Sequence, residues 1–246
     1  MENKTAIIAH DHRPVAISSP ICCVVCRDSY SQCAEAQTVV VGGTTIALPS
    51  PEGFFRYDGK NTKVDSLEQQ LVPKSNRLLA AFGSEEMLAE VLADRFPAKG
   101  RWFNAQSLRD IESIDMTPEL FAALKREMRK DIWPQMTDKD RDAIEEIDRK
   151  ASTLLSGNLK IGEMITLGVF DDTADSFCYS MLGKAQLQAT TVSHDEMTII
   201  ALCIIRVRNR AFYLAAGSPN RDKSDIEWTR GSVQHWRDAV LKANSR

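Results

Sequence analysis

The sequence predicts an α+β domain: a mostly antiparallel sheet packed by about four helices. Three observations lead there. Ile199 to Ile205 is a run of seven apolar residues, too short for a membrane span and too continuous for a strand with one wet face, so it reads as a strand covered on both sides. Met164 to Phe170, Ser176 to Gln188, Met197 to Val207 and Ala211 to Gly217 follow one another between polar turns, as the strands of a meander do. After them Ile226, Thr229, Val233, Trp236, Val240 and Ala243 recur every three or four residues behind Ser224 and Glu227, whose spacing is that of a capping box.

The earlier elements follow in order. Thr38 to Val41 and Thr44 to Leu48 flank Gly42-Gly43, which supplies the positive φ angles of a primed hairpin turn. Pro49, Pro51 and Gly53 end that hairpin, Phe54 to Tyr57 reads as a short strand and Asp58 to Lys63 as loop. Arg77 to Phe82 is an inner strand. Ser84 caps a helix carrying Glu85 and Glu86 in its positive first turn, with Met87, Leu88, Val91, Leu92 and Phe96 facing inward. Trp102 to Leu108 alternates as a strand does. Thr117-Pro118 opens a helix with Phe121, Leu124, Met128 and Ile132 on one side, and Trp133-Pro134 stops it. A further helix is expected from Asp138 to Ser156, closed by Gly157. No linker divides residues 37–246, so they form a single domain.

Composition bounds the partners. Of 246 residues, 43% are hydrophobic and 26% charged, as in a globular chain, and the formal net charge of -3 gives no electrostatic footprint for nucleic acid or an anionic membrane surface. No integral membrane segment is expected. Residues 1–36 stand apart: Lys4 and Arg13 precede a modestly apolar stretch from Val15 to Cys26, and Ala34-Glu35-Ala36 has the form of a signal-peptidase site. Glu2, Asp11 and Pro20 depart from that pattern, which leaves a cytoplasmic tail or a misassigned start codon beside a signal peptide. Cys22, Cys23, Cys26 and Cys33, with His10 and His12, form the metal-like cluster of the chain, but Cys23-x-x-Cys26 is half a zinc site without its other half. A hairpin turning near Thr191 to Asp195 sets Cys203 opposite residues around 182, so Cys178 and Cys203 read as buried free thiols.

Four constellations are candidates for chemistry. Asp171, Asp172 and Asp175 gather three carboxylates, oxygen ligands for a hard cation, without the glycine and distant glutamate of a calcium loop; a solvated hairpin turn is the plainer reading. Arg206, Arg208 and Arg210 share strand parity around Asn209 and suit an anion, or a wet charged sheet edge. His235 and His194 are potential bases without a companion nucleophile motif. Trp102, Trp228 and Trp236 suit a pocket or the core.

Pro51-x-Gly53-Phe54, Asn76-Arg77-Leu78-Leu79-Ala80, Gly168-Val169-Phe170 and the closing strand, strand, helix with Glu227-Trp228 resemble a family of uncharacterised, typically exported bacterial proteins. The resemblance spans most of Thr38 to Asn244 and implies a signal peptide ending shortly before the first hairpin, hence an exported or periplasmic protein. It carries over no catalytic residue. The Pro-x-Gly-Phe opening and the terminal strand, turn, strand, helix are also similar to the PsbP fold, which implies an accessory or binding role. The expectation is a non-enzymatic binding protein of the cell envelope with a protein partner, without cofactor, metal or assigned site residue. An enzyme, hydrolase-like, with a site assembled from scattered residues is the alternative, and a cytoplasmic zinc-binding regulator using the amino-terminal thiols is the third reading.

Overall fold

The computed structural model describes residues 37–93, 100–132, 157–189 and 192–245. The leader with its cysteines and histidines, Phe96, Trp133-Pro134 and the helix expected over 138–156 lie outside these residues. Nine strands and four helices are found among the described residues: β1 (Thr38–Val41), β2 (Thr44–Ala47), β3 (Phe55–Arg56), α1 (Thr62–Leu71), β4 (Asn76–Gly83), α2 (Glu85–Leu92), β5 (Trp102–Leu108), α3 (Pro118–Ile132), β6 (Gly157–Asp172), β7 (Ser176–Ala189), β8 (Val192–Val207), β9 (Arg210–Pro219) and α4 (Lys223–Ala243). The α+β class holds. Seven strands form one sheet in the order β3-β4-β5-β9-β8-β7-β6, every neighbouring pair antiparallel.

Strand parity sorts the core. On one face Phe82, Phe103, Ala105, Cys178, Cys203, Ile205, Phe212 and Leu214 meet Val233, Trp236 and Val240 of α4 and Val39, Val41 and Ile46 of the β1–β2 hairpin. On the other face α1 and α2 cover Ala81 through Val64, Met87 and Val91, while Phe121 of α3 covers Phe177, Ile204 and Ala211. The doubly apolar run in β8 is thus a strand with helices above and below it.

The hairpin forms as predicted, with Gly42 and Gly43 at φ 51° and 78°. A Cβ on Gly42 would lie 2.0 Å from the Glu112 carbonyl oxygen, so close approach as well as backbone angle requires glycine there. The hairpin docks on the end of α4, where the Asn244 carboxamide accepts from Ala47 N at 2.9 Å and donates to Ala47 O at 2.8 Å. Trp236 Nε1 donates to Pro49 O at 2.7 Å.

Several expectations are corrected. Helix α1 occupies part of the segment read as loop. Gly157 is the first residue of β6, and Asp138 to Ser156, the helix expected before it, lie outside the described residues. Leu92 is exposed: it is the last residue of α2 and sits off the row of Met87 and Val91 that the helix buries. The cap of α4 is Asp222, which accepts from Ser224 N, so Ser224 lies in the first turn, and Ala243 is exposed beside the Asn244 cap. His194, Asp195 and Glu196 lie in β8 opposite Leu187, Gln186 and Ala185, not in a turn.

Candidate functional site

The acidic turn between β6 and β7 is built from charge pairs that diverge. Asp171 pairs with Arg237 of α4, Asp172 with Lys125 and Arg129 of α3, and Asp175 with Arg206 of β8. Each carboxylate faces a different cation, which accounts for the three acids by pairing and not by a shared ligand. Burial and the neighbouring Arg129 hold the Lys125 ammonium below the ordinary lysine value. The turn therefore ties α3 and α4, on opposite faces of the sheet, to one hairpin end.

The arginine trio is split by the turn it flanks. Arg208 and Asn209 take left-handed φ angles of 48° and 57°, a primed two-residue turn, and Val207 pairs with Arg210. Parity therefore changes across the turn: Arg206 projects to the α3 face and Arg210 to the hairpin face. Neither β8 nor β9 is a sheet edge. Arg208 donates to Thr45 O, and Arg210 donates to Thr44 Oγ1 at 3.0 Å and Ile114 O at 2.7 Å, so these side chains clamp the first hairpin and the 113–116 loop.

The tryptophans do not gather. Trp236 is 1% exposed and meets Phe82 and Phe103 edge-on. Trp228 stacks under Arg101, 4.1 Å from the ring centre, whereas Trp102 lies on the other face. His235 is 74% exposed and 3.9 Å from the still more open Glu52, a surface position. For His194 the strand register alone is described.

A cleft of about 440 Å³ opens between α1 and β4, lined by Asp58, Thr62, Asp65, Ser66, Gln69 and Leu78 among others. Asp58 is held by both nitrogens of the Arg56 fork and by Ala81 N, and Asp65 accepts from Gly59 N. Outside the cleft lining, Tyr57 donates to Glu68 of α1 at 2.9 Å. Burial pushes the Glu68 carboxyl above its ordinary value, against the lowering effect of the tyrosine bond, and Asp65 and Asp58 add to the rise; burial first, then Glu68, raises the Tyr57 phenol. Sequence reading missed this pair because its partners come from the residue after a two-residue strand and from a weakly apolar helix.

The cysteines are the largest departure. Cys178 and Cys203 are directly opposed on β7 and β8, with Cα atoms 4.1 Å apart, and form a disulfide. The β7–β8 register is centred some two residues earlier than the turn expected near Thr191 to Asp195, and a shift of the centre moves every pairing by twice as much. Both cysteines are fully buried on the α4 face. Arg237, only 7% exposed, donates to Ser176 Oγ at 3.3 Å and to Cys178 Sγ at 3.7 Å. The signal for Arg237 was present: Asp225, Thr229, Val233 and Arg237 are a single every-fourth-residue row of α4, and all four are buried.

No family model and no curated protein matches the chain. Among solved structures, the Ran-binding protein Mog1p of Saccharomyces cerevisiae aligns with 85% of this chain and 92% of its own at 10% identity, with a TM-score of 0.29, values too low to bear on fold or function.

Proposed function

We propose that the chain is a non-enzymatic binding protein of the bacterial cell envelope, acting in an oxidising compartment. The observation that carries this reading is the buried Cys178–Cys203 disulfide, since such bonds form and persist where thiols are not kept reduced. The leader and the resemblance to exported proteins point the same way. The edge strand β6 supports a protein partner, because Ile165 and Val169 stand 52% and 38% exposed on it. No helix among the described residues is long and apolar enough to cross a membrane.

The test alkylates thiols in intact cells of the natural host, then isolates the protein and sequences its amino terminus. Cys178 and Cys203 are expected to react only after reduction, with the mature chain starting near Gln37. Both thiols alkylated in untreated cells would refute the compartment. A photo-crosslinker at Ile165 is expected to give one discrete adduct. A second reading is favoured by the cleft between α1 and β4, which Asp58 and Asp65 line, with the raised carboxyl of Glu68 on the same helix. Turnover in a hydrolase screen that Glu68→Gln abolishes would establish that reading over the first.

A further inference from the structure

The guanidinium of Arg237 touches one sulfur of the disulfide. Nη1 donates to Cys178 Sγ at 3.7 Å while also serving Ser176 and the Asp171 carboxylate. Cys203 has a different setting, paired with Leu214 of β9 and flanked along β8 by Ala201 and Ile205. The charged groups around the pair are Arg237 and its neighbour Asp238 from α4 and Asp171 from β6, and β7 adds the hydroxyl of Ser176. A buried cation against one sulfur of two makes the pair chemically unequal.

We propose that Cys178–Cys203 is an exchangeable redox pair tuned by Arg237, with Cys178 the acidic thiol of the reduced form. In the exchange, a thiolate of a dithiol reductant attacks Cys203 Sγ, and the S–S bond breaks with its electron pair leaving on Cys178. Arg237 holds that thiolate. The reductant's second thiolate then displaces Cys203, closing the reductant's own disulfide, and Cys203 takes up a proton. The dithiol loses two electrons and two protons; the protein gains two electrons and one proton, and the other proton goes to solvent. A thiol of lower pKa leaves faster, and a stabilised reduced form makes the pair more oxidising. Because both cysteines are fully buried, exchange proceeds through local opening, and Arg237, carried by α4, holds the Cys178 thiolate once that helix has closed again on the sheet. This goes beyond the compartment reading, which requires only that the bond forms.

The experiment equilibrates the full chain with mixtures of reduced and oxidised dithiothreitol and counts free thiols by alkylation and mass. Arg237→Met is expected to lower the equilibrium constant for reduction about tenfold, ~30 mV, because a neighbouring charge moves an ionisation by about one unit or more. Asp171→Asn, which frees Arg237 from its carboxylate, is expected to raise the constant by a similar factor. A purely structural role would move both variants the same way. Thiolate absorbance of the reduced wild type is expected to titrate about one unit or more below the ordinary cysteine value near 8.5, and to return toward it in Arg237→Met. Constants within twofold for both variants, shifts of equal sign, or no low-pH thiolate would overturn the proposal. If Arg237→Met does not fold, Arg237→Lys, expected within threefold of wild type, and the wild-type thiolate titration decide it.

Discussion

Trp236→Ala tests whether α4 is integral to the core. The side chain is 1% exposed, lies edge-on to Phe82 and Phe103 at centroid distances of 5.4 and 5.5 Å, and donates to Pro49 O at 2.7 Å. Truncating a buried tryptophan costs roughly 3–5 kcal/mol, and the two edge contacts and the orphaned Pro49 carbonyl put this site at the upper end, about 5 kcal/mol. That is comparable to the whole stability of a marginal domain, on the order of 5–15 kcal/mol. Trp236→Phe keeps most of the ring and loses the hydrogen bond, so about 1.5–3 kcal/mol is expected from the smaller ring and the unpaired carbonyl. Equilibrium urea unfolding measures both, the midpoint shift counting as stability only if the slope is unchanged. A loss below about 1 kcal/mol for the alanine variant would refute the packing argument.

Four further outcomes are expected. Gly217→Ala would place its Cβ 2.1 Å from Trp102 Cε2, so it is expected to cost about 2–3 kcal/mol; in a thermodynamic cycle, Gly217→Ala added to Trp102→Ala should cost less than it does in wild type, and simple additivity would contradict the clash. The Arg77 bond holds Glu112 below its ordinary value, and the Arg221 amide, aided by Arg101 and Ser218, does so for Asp225, so both contribute stability above the unfolded carboxylate values of about 4 that is lost as pH falls through their lower folded values. Glu68 acts in the opposite sense: its raised folded value makes ionisation destabilising as pH rises from about 4, so Glu68→Gln is expected to flatten that part of a pH series of urea midpoints, and an unchanged series would sink the assignment. A chain beginning at Gln37 is expected to melt with the full chain, whereas stoichiometric zinc held by the full chain alone would bring the zinc-binding regulator forward.

Elements with strong periodicity were legible in the sequence. The β1–β2 hairpin, the alternating β5 and the stripe of α4 each announce their geometry within a few residues. Helix α1 does not: Thr62 to Leu71 carries three apolar residues in ten, and its fold comes from burial of Val64 against the sheet. The disulfide was hidden for a different reason. Ser193, His194 and Asp195 are turn-like residues, yet strand pairing carries them inside β8, and register across a hairpin magnifies any error in where the turn lies. Arg237 was hidden by convention, since a stripe drawn through apolar residues steps around a charge on the same buried row.

The clasp between Ala47 and Asn244 has a consequence for synthesis. The first hairpin is complete within about a dozen residues, but the carboxamide that satisfies its backbone is 197 residues away. At roughly 5–20 residues per second, a ribosome takes about 10–40 s to make the intervening chain. Throughout that interval α4, the last element made, is not there to cover Val39, Val41 and Ile46, so this end of the core cannot close until translation is nearly over.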